Sequence, residues 1–196
     1  GDHSGAIDRL QQAVLINEQM GNQRSLALNL VSMGIQYQFM GNLEDAEEQY
    51  LKAYNIGLKL DDAVVQINAN AYLSEIYGGQ ERWEEALKHA LIWLGLEKLK
   101  GQNPTMIQTL AKLVGYSIEL GDIKGAQAYM EEADLLYTSF ENISIGAKAD
   151  YLKNKGKLLM ETNQLRAAGL YFEQLKEFLP QSQPERKRYE LSTLVK

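Results

Sequence analysis

The chain holds two histidines, His3 and His89, and no cysteine, so its stock of catalytic and metal-binding side chains is small. Thiolate nucleophiles, disulfides and cysteine-based zinc sites are excluded outright. His89 follows Glu85 by four positions, a helical spacing that can bring imidazole and carboxylate to one metal ion. No second histidine shares that segment, and the expectation is a surface contact. His3 has no motif around it, so neither imidazole belongs to a Ser-His-Asp constellation. Tyr77-Gly78-Gly79-Gln80 lacks the Gly-Lys-Ser/Thr that cradles phosphate, and it reads as a turn between helices. The acidic clusters Glu44, Asp45, Glu47 and Glu48, then Glu84 and Glu85, then Glu131 and Glu132, fall where helices should begin. Negative charge there is favoured by about 0.3–1 kcal/mol through the helix dipole, with no need of a metal. No catalytic residue, metal site or cofactor is expected, and the chain does not read as an enzyme.

Composition narrows the class further. Hydrophobic residues make up 45% and charged residues 23% of the 196, which argues for a folded chain over a disordered one. Only Pro104, Pro180 and Pro184 interrupt it, so long stretches are free to be helical. A net charge of −6 disfavours binding to a phosphate backbone. The one tight basic cluster, Arg186-Lys187-Arg188, reads as a solvated helix face. The longest strongly apolar run, Ala90 to Leu96, is far too short for a membrane span. No basic stretch followed by an apolar one opens the chain, so no signal peptide is visible. A cytoplasmic protein that binds neither nucleic acid nor membrane is expected.

The elements that would position a site recur. Ala6, Ala46, Ala86, Ala126 and Ala168 each follow a short polar stretch, at spacings of 40, 40, 40 and 42. Gly41 and Gly121 stand where a helix must end, in a conformation that glycine adopts without strain. Asn42 and Asp122 follow as caps for the next helix, and Asn22, Asp61 or Asp62, Asn103 and Asn142 are further candidate caps. Each alanine then lies one turn into a second helix, where its small size lets a partner helix approach. Tyr50, Met130 and Phe172 come four positions later on the same face. The partner helix precedes each unit. Leu30, Met33, Gly34 and Tyr37 mark it first, then Asn70, Leu73, Ser74 and Tyr77. Leu110, Leu113, Val114 and Ser117 mark the third, and Leu152, Lys155, Gly156 and Leu159 the fourth. Offsets of 0, 3, 4 and 7 define one helical face. Tyr37, Tyr50, Tyr54 and Tyr77 sit at packing offsets and are expected in the core.

These residues resemble the tetratricopeptide pattern W-x2-L-G-x2-Y, A-x3-F, P. The first unit matches it best, as Leu30-x2-Met33-Gly34-x2-Tyr37, Gly41, and Ala46-x3-Tyr50. The 40-residue period looks like the long variant seen in spindle-orientation adaptors, kinesin light chains and bacterial peptide-sensing regulators. The resemblance implies an all-α fold: an α-α superhelix, a solenoid of antiparallel helix pairs. On this reading the array covers 1–180. An orphan second helix spans 2–20, and pairs follow at 23–60, 62–100, 104–139 and 143–179. Residues 181–196 make a tail or capping helix. Because the leading pair lacks its first helix, a fragment of a longer array is expected.

In such arrays the first helix of each pair lines a concave groove. Carried onto this chain, the groove residues are Leu28, Val31, Ile35 and Gln38, then Asn68, Tyr72 and Glu75. Gln108 and Lys112 follow, then Asp150, Lys153, Asn154 and Lys157. The surface runs from apolar to lysine-rich, which suits a peptide or partner protein with apolar anchors and acidic residues. The expected function is a protein–protein interaction module within a larger regulator or scaffold. Two other readings stand beside it: a peptide-sensing domain that controls an attached output domain, and a structural segment that self-associates through open array ends into a homo-oligomer.

Overall fold

The computed structural model describes residues 2–178, and the expected tail or capping helix lies outside them. The described residues form nine helices and no strand. They are α1 (His3–Gln19), α2 (Gln23–Phe39), α3 (Leu43–Leu60), α4 (Ala63–Gly79), α5 (Trp83–Leu99), α6 (Thr105–Glu119), α7 (Ile123–Ser139), α8 (Ile145–Glu161) and α9 (Leu165–Phe178). The chain divides into two compact units, Gly1–Lys100 and Gly101–Lys196.

Local chemistry sets the helix ends. Gly41 and Gly121 close α2 and α6 with φ of 81° and 76°, where a side chain would be strained. Glu81 and Asn163 occupy the same left-handed region at the corresponding turns without being glycine. Asp122 caps α7 by accepting from the Gly125 amide at 2.9 Å, and Asp62 caps α4 through the Val64 and Val65 amides. Two expected caps fail. Asn42 makes no capping bond. Asn142 lies two residues further from the start of α8 than a cap can stand, and Ser144, directly before the helix, accepts from the Ala147 amide instead.

In the first unit each neighbouring pair of helices from α1 to α5 packs together, and α4 lies chiefly on α3 while only grazing α2. Small buried residues recur in the core of each pair. Ala46 and Ala86 are fully buried. Where α2 offers Gly34, α3 offers a fully buried Tyr50; at the corresponding positions α4 and α5 carry Ser74 and Ala90, both small and buried. Tyr77 is buried as expected, while Tyr37 and Tyr54 are half-buried.

In the second unit α6 pairs with α7 and α8 with α9. Here α8 lies chiefly on α6 and touches α7 lightly. Residues 140–144 connect α7 to α8, with Phe140 extended at φ −115° and ψ 130°. Only residues 61–62 connect α3 to α4. The longer connection frees α8 to cross from the second helix of the preceding pair to the first. Gly156 faces the Phe172 ring, so a glycine again admits an aromatic residue.

Candidate docking face

The face in the first unit starts from Gly34. With no side chain there, the Tyr50 ring lies directly on the α2 backbone; a Cβ at Gly34 would come within 2.7 Å of the ring's Cδ1. The Tyr50 hydroxyl donates to Oε1 of Gln38 at 2.9 Å. The same ring stacks on Tyr72 of α4, with centroids 5.2 Å apart and 13° between the planes. One residue of α3 thus ties α2 to α4 and brings Gln38 and Tyr72 into one neighbourhood. Burial first, then Tyr72 and the Glu75 carboxylate, push the Tyr50 phenol above its usual range. Burial and then Glu75 do the same to Tyr72. Both phenols stay neutral at physiological pH.

Leu28, Val31, Ile35 and Gln38 share one face of α2 by their spacing, and Asn68, Tyr72 and Glu75 share one face of α4. Val31 is buried; Leu28, Ile35, Gln38, Asn68 and Tyr72 are half-buried; Glu75 is exposed. The Gln38 amide nitrogen and the whole Asn68 carboxamide make no hydrogen bond among the described residues. Sequence reasoning placed Tyr50 in the core and left its role in this face unread. The signal that could have found it is Gly34, whose missing side chain predicts a ring laid across α2.

The corresponding residues of the second unit bind one another. Gln108 donates to Oδ2 of Asp150 at 3.0 Å, and Lys112 pairs with the same oxygen at 3.6 Å. Asn154 is buried against Gly115, where a Cβ would come within 2.8 Å of its Oδ1, and its amide donates to the Asp150 carbonyl at 3.0 Å. Lys157 pairs with Glu119 at 3.0 Å. Lys153 is half-buried and also engaged. α6 and α8 therefore meet in a polar seam.

His89 departs from expectation. It is 7% exposed rather than a surface residue. Its Nδ1 lies 2.8 Å from Oδ1 of Asn70, and its ring meets Tyr54 edge-on at 5.7 Å and Tyr77 at 5.4 Å. Glu47, expected only to favour the α3 N-terminus, also accepts from the Tyr77 hydroxyl at 3.0 Å and pairs with Arg82 at 3.1 Å. No group of three or more histidine, aspartate or glutamate side chains that could hold a metal ion occurs among the described residues. No helix of the described residues is long and apolar enough to cross a membrane.

No protein-family model matches the sequence, and the comparison with curated proteins found no match. Solved structures do match. Kinesin light chain TPR-like repeats from Podosopora anserina superpose with a TM-score of 0.70 at 15% identity, covering 94% of this chain and 90% of that one. BtubC from P. vanneervenii gives a TM-score of 0.70 at 15% identity over 94% of this chain and 76% of its own. MamA gives 0.62 at 18% identity over 92% and 91%. The fold is a TPR-like helical-repeat solenoid, all-α in class.

Proposed function

We propose that the chain is a protein-interaction module that docks a partner segment on the α2–α4 face of its first unit and carries no catalysis of its own. One contrast supports this reading. The groove side chains of α6 and α8 hydrogen-bond each other, whereas Gln38 and Asn68 keep unused amide groups among the described residues, beside half-buried Leu28 and Ile35. Carboxamides beside apolar side chains suit an extended peptide, whose backbone needs both donors and acceptors. Apolar anchors on the partner follow from Leu28 and Ile35. The acidic preference expected from the lysines loses support, because Lys112 and Lys157 already pair with Asp150 and Glu119. The 40-residue spacing favours the long-repeat variety of the family.

The test is selection of peptides from a displayed random library by the full chain. Selected peptides should lose binding to Asn68→Arg, which blocks the first-unit face, and keep it with Lys153→Glu/Lys157→Glu. The opposite pattern would move the docking face to α8. Selection of no peptide above an unrelated helical-repeat control would overturn the reading.

A further inference from the structure

His89 and Asn70 form a polar pair inside the α4–α5 seam. Asn70 is fully buried, and its amide donates to the Gln66 carbonyl at 2.7 Å. That bond turns Oδ1 of Asn70 toward His89, so Nδ1 of His89 must carry a proton. Nε2 makes no hydrogen bond among the described residues. A second proton would have to go there, where no protein group among the described residues accepts it.

Burial makes that proton unwelcome, and the charges around the ring pull in both directions. Lys88 and Glu85 stand on its own helix, Glu47 on α3, and Arg82 at the turn before α5; α3 and α4 add the phenols Tyr54 and Tyr77. Both carboxylates that would favour an imidazolium are held by Arg82, at 3.1 Å for Glu47 and 2.6 Å for Glu85. Arg82 also sits 4.1 Å over the Tyr77 ring. Burial first, then Lys88, holds His89 below the 6.5 of a free imidazole, while Glu85 and Glu47 pull the other way.

We propose that His89 is an acid-sensitive latch: a solvent proton taken up at Nε2 loosens α5 from α4. By helical spacing Asn70 and Tyr77 lie on the opposite side of α4 from Asn68 and Tyr72. Loosening the seam therefore releases the helix that carries half of the docking face; this last consequence alone rests on the proposed function. The sign follows from linkage. A histidine with a depressed folded pKa contributes stability above pH 6.5, lost as pH falls below it.

NMR titration of both imidazoles in the full chain, from about pH 8 to about pH 5, tests this together with amide exchange in α4 and α5. Exchange in α8 and α9 serves as the internal reference. His89 should titrate below 6.5, and exchange in α4 and α5, relative to that in α8 and α9, should speed up about tenfold per unit of that depression. His89→Gln should show no such acceleration. Titration at or above 6.5, exchange indifferent to the titration, or the same acceleration in His89→Gln each overturns the latch. If His89→Gln fails to fold, the first two outcomes still decide. No partner enters these measurements, so failure here leaves the docking reading standing.

Discussion

Gly34 and Tyr50 occupy each other's space: the ring of one fills the volume that any side chain on the other would need. Gly34→Ala should therefore destabilise the first unit by about 1–3 kcal/mol through overpacking, even though alanine is the better helix former. Gly95→Ala supplies the contrast. A Cβ there meets nothing within 4 Å, so the same change should stabilise by about 0.5–1 kcal/mol. Urea denaturation of the two variants beside the parent measures both signs.

Glu81 should yield to glycine. It holds φ 61° at the turn where Gly41 and Gly121 stand in other repeats, and a left-handed non-glycine residue costs roughly 1–2 kcal/mol. Part of that cost is offset by glycine's greater freedom in the unfolded chain, so Glu81→Gly should gain about 0.5–1 kcal/mol. Asn163→Gly should gain less, since asparagine tolerates the same conformation. Thermal melts rank the pair, and a gain at Asn163 exceeding that at Glu81 contradicts the strain argument.

Asp150 organises the α6–α8 seam, receiving both Gln108 and Lys112 on one oxygen. Asp150→Ala strands both partners and should cost about 1–3 kcal/mol. Lys157→Ala removes a pair whose two side chains are each 37% exposed and should cost no more than about 1 kcal/mol. Equal losses for the two would mean that the seam is no stronger than a surface contact.

Alkali should reveal the tyrosine linking α3 and α4. Burial, and then its bond to Glu47, push the Tyr77 phenol up to about 12, with Arg82 pulling it down. A raised folded pKa gives stability that is whole below pH 10 and drains away as pH rises through about 12. In an absorbance titration at the phenolate band, a component near 12 should vanish in Tyr77→Phe. An unchanged curve in that variant excludes the assignment.

Much of this was legible along the chain. The recurrence of Ala46, Ala86, Ala126 and Ala168 with glycines at Gly41 and Gly121 carried the helical-repeat class, and Asp122 was readable as a cap from its place after Gly121. Other local readings failed for local reasons. Asn42 has the type and position of a cap but makes no capping bond. Asn142 lost the role to Ser144 because α8 begins at Ile145, so Ser144 is the residue directly before it. Neighbouring residues gave no sign that His89 would be buried, because its partners Asn70, Tyr54 and Tyr77 lie on other helices.

What the sequence by itself determined is everything that depends on groups a few residues apart: helix-forming stretches, left-handed turns, and the small-against-large exchange from which the repeat class follows. Backbone hydrogen bonds four residues apart and side-chain caps act at that range. Tertiary structure decided which polar faces stay available. The amide nitrogen of Gln38 on α2 and the carboxamide of Asn68 on α4 make no hydrogen bond among the described residues, while Gln108 and Lys112 on α6 are joined to Asp150 on α8, because α4 rests on α3 while α8 rests on α6. The physical reason is reach. Five connecting residues let α8 bring Asp150 to Gln108 and Lys112, and two residues hold α4 to the helix just before it.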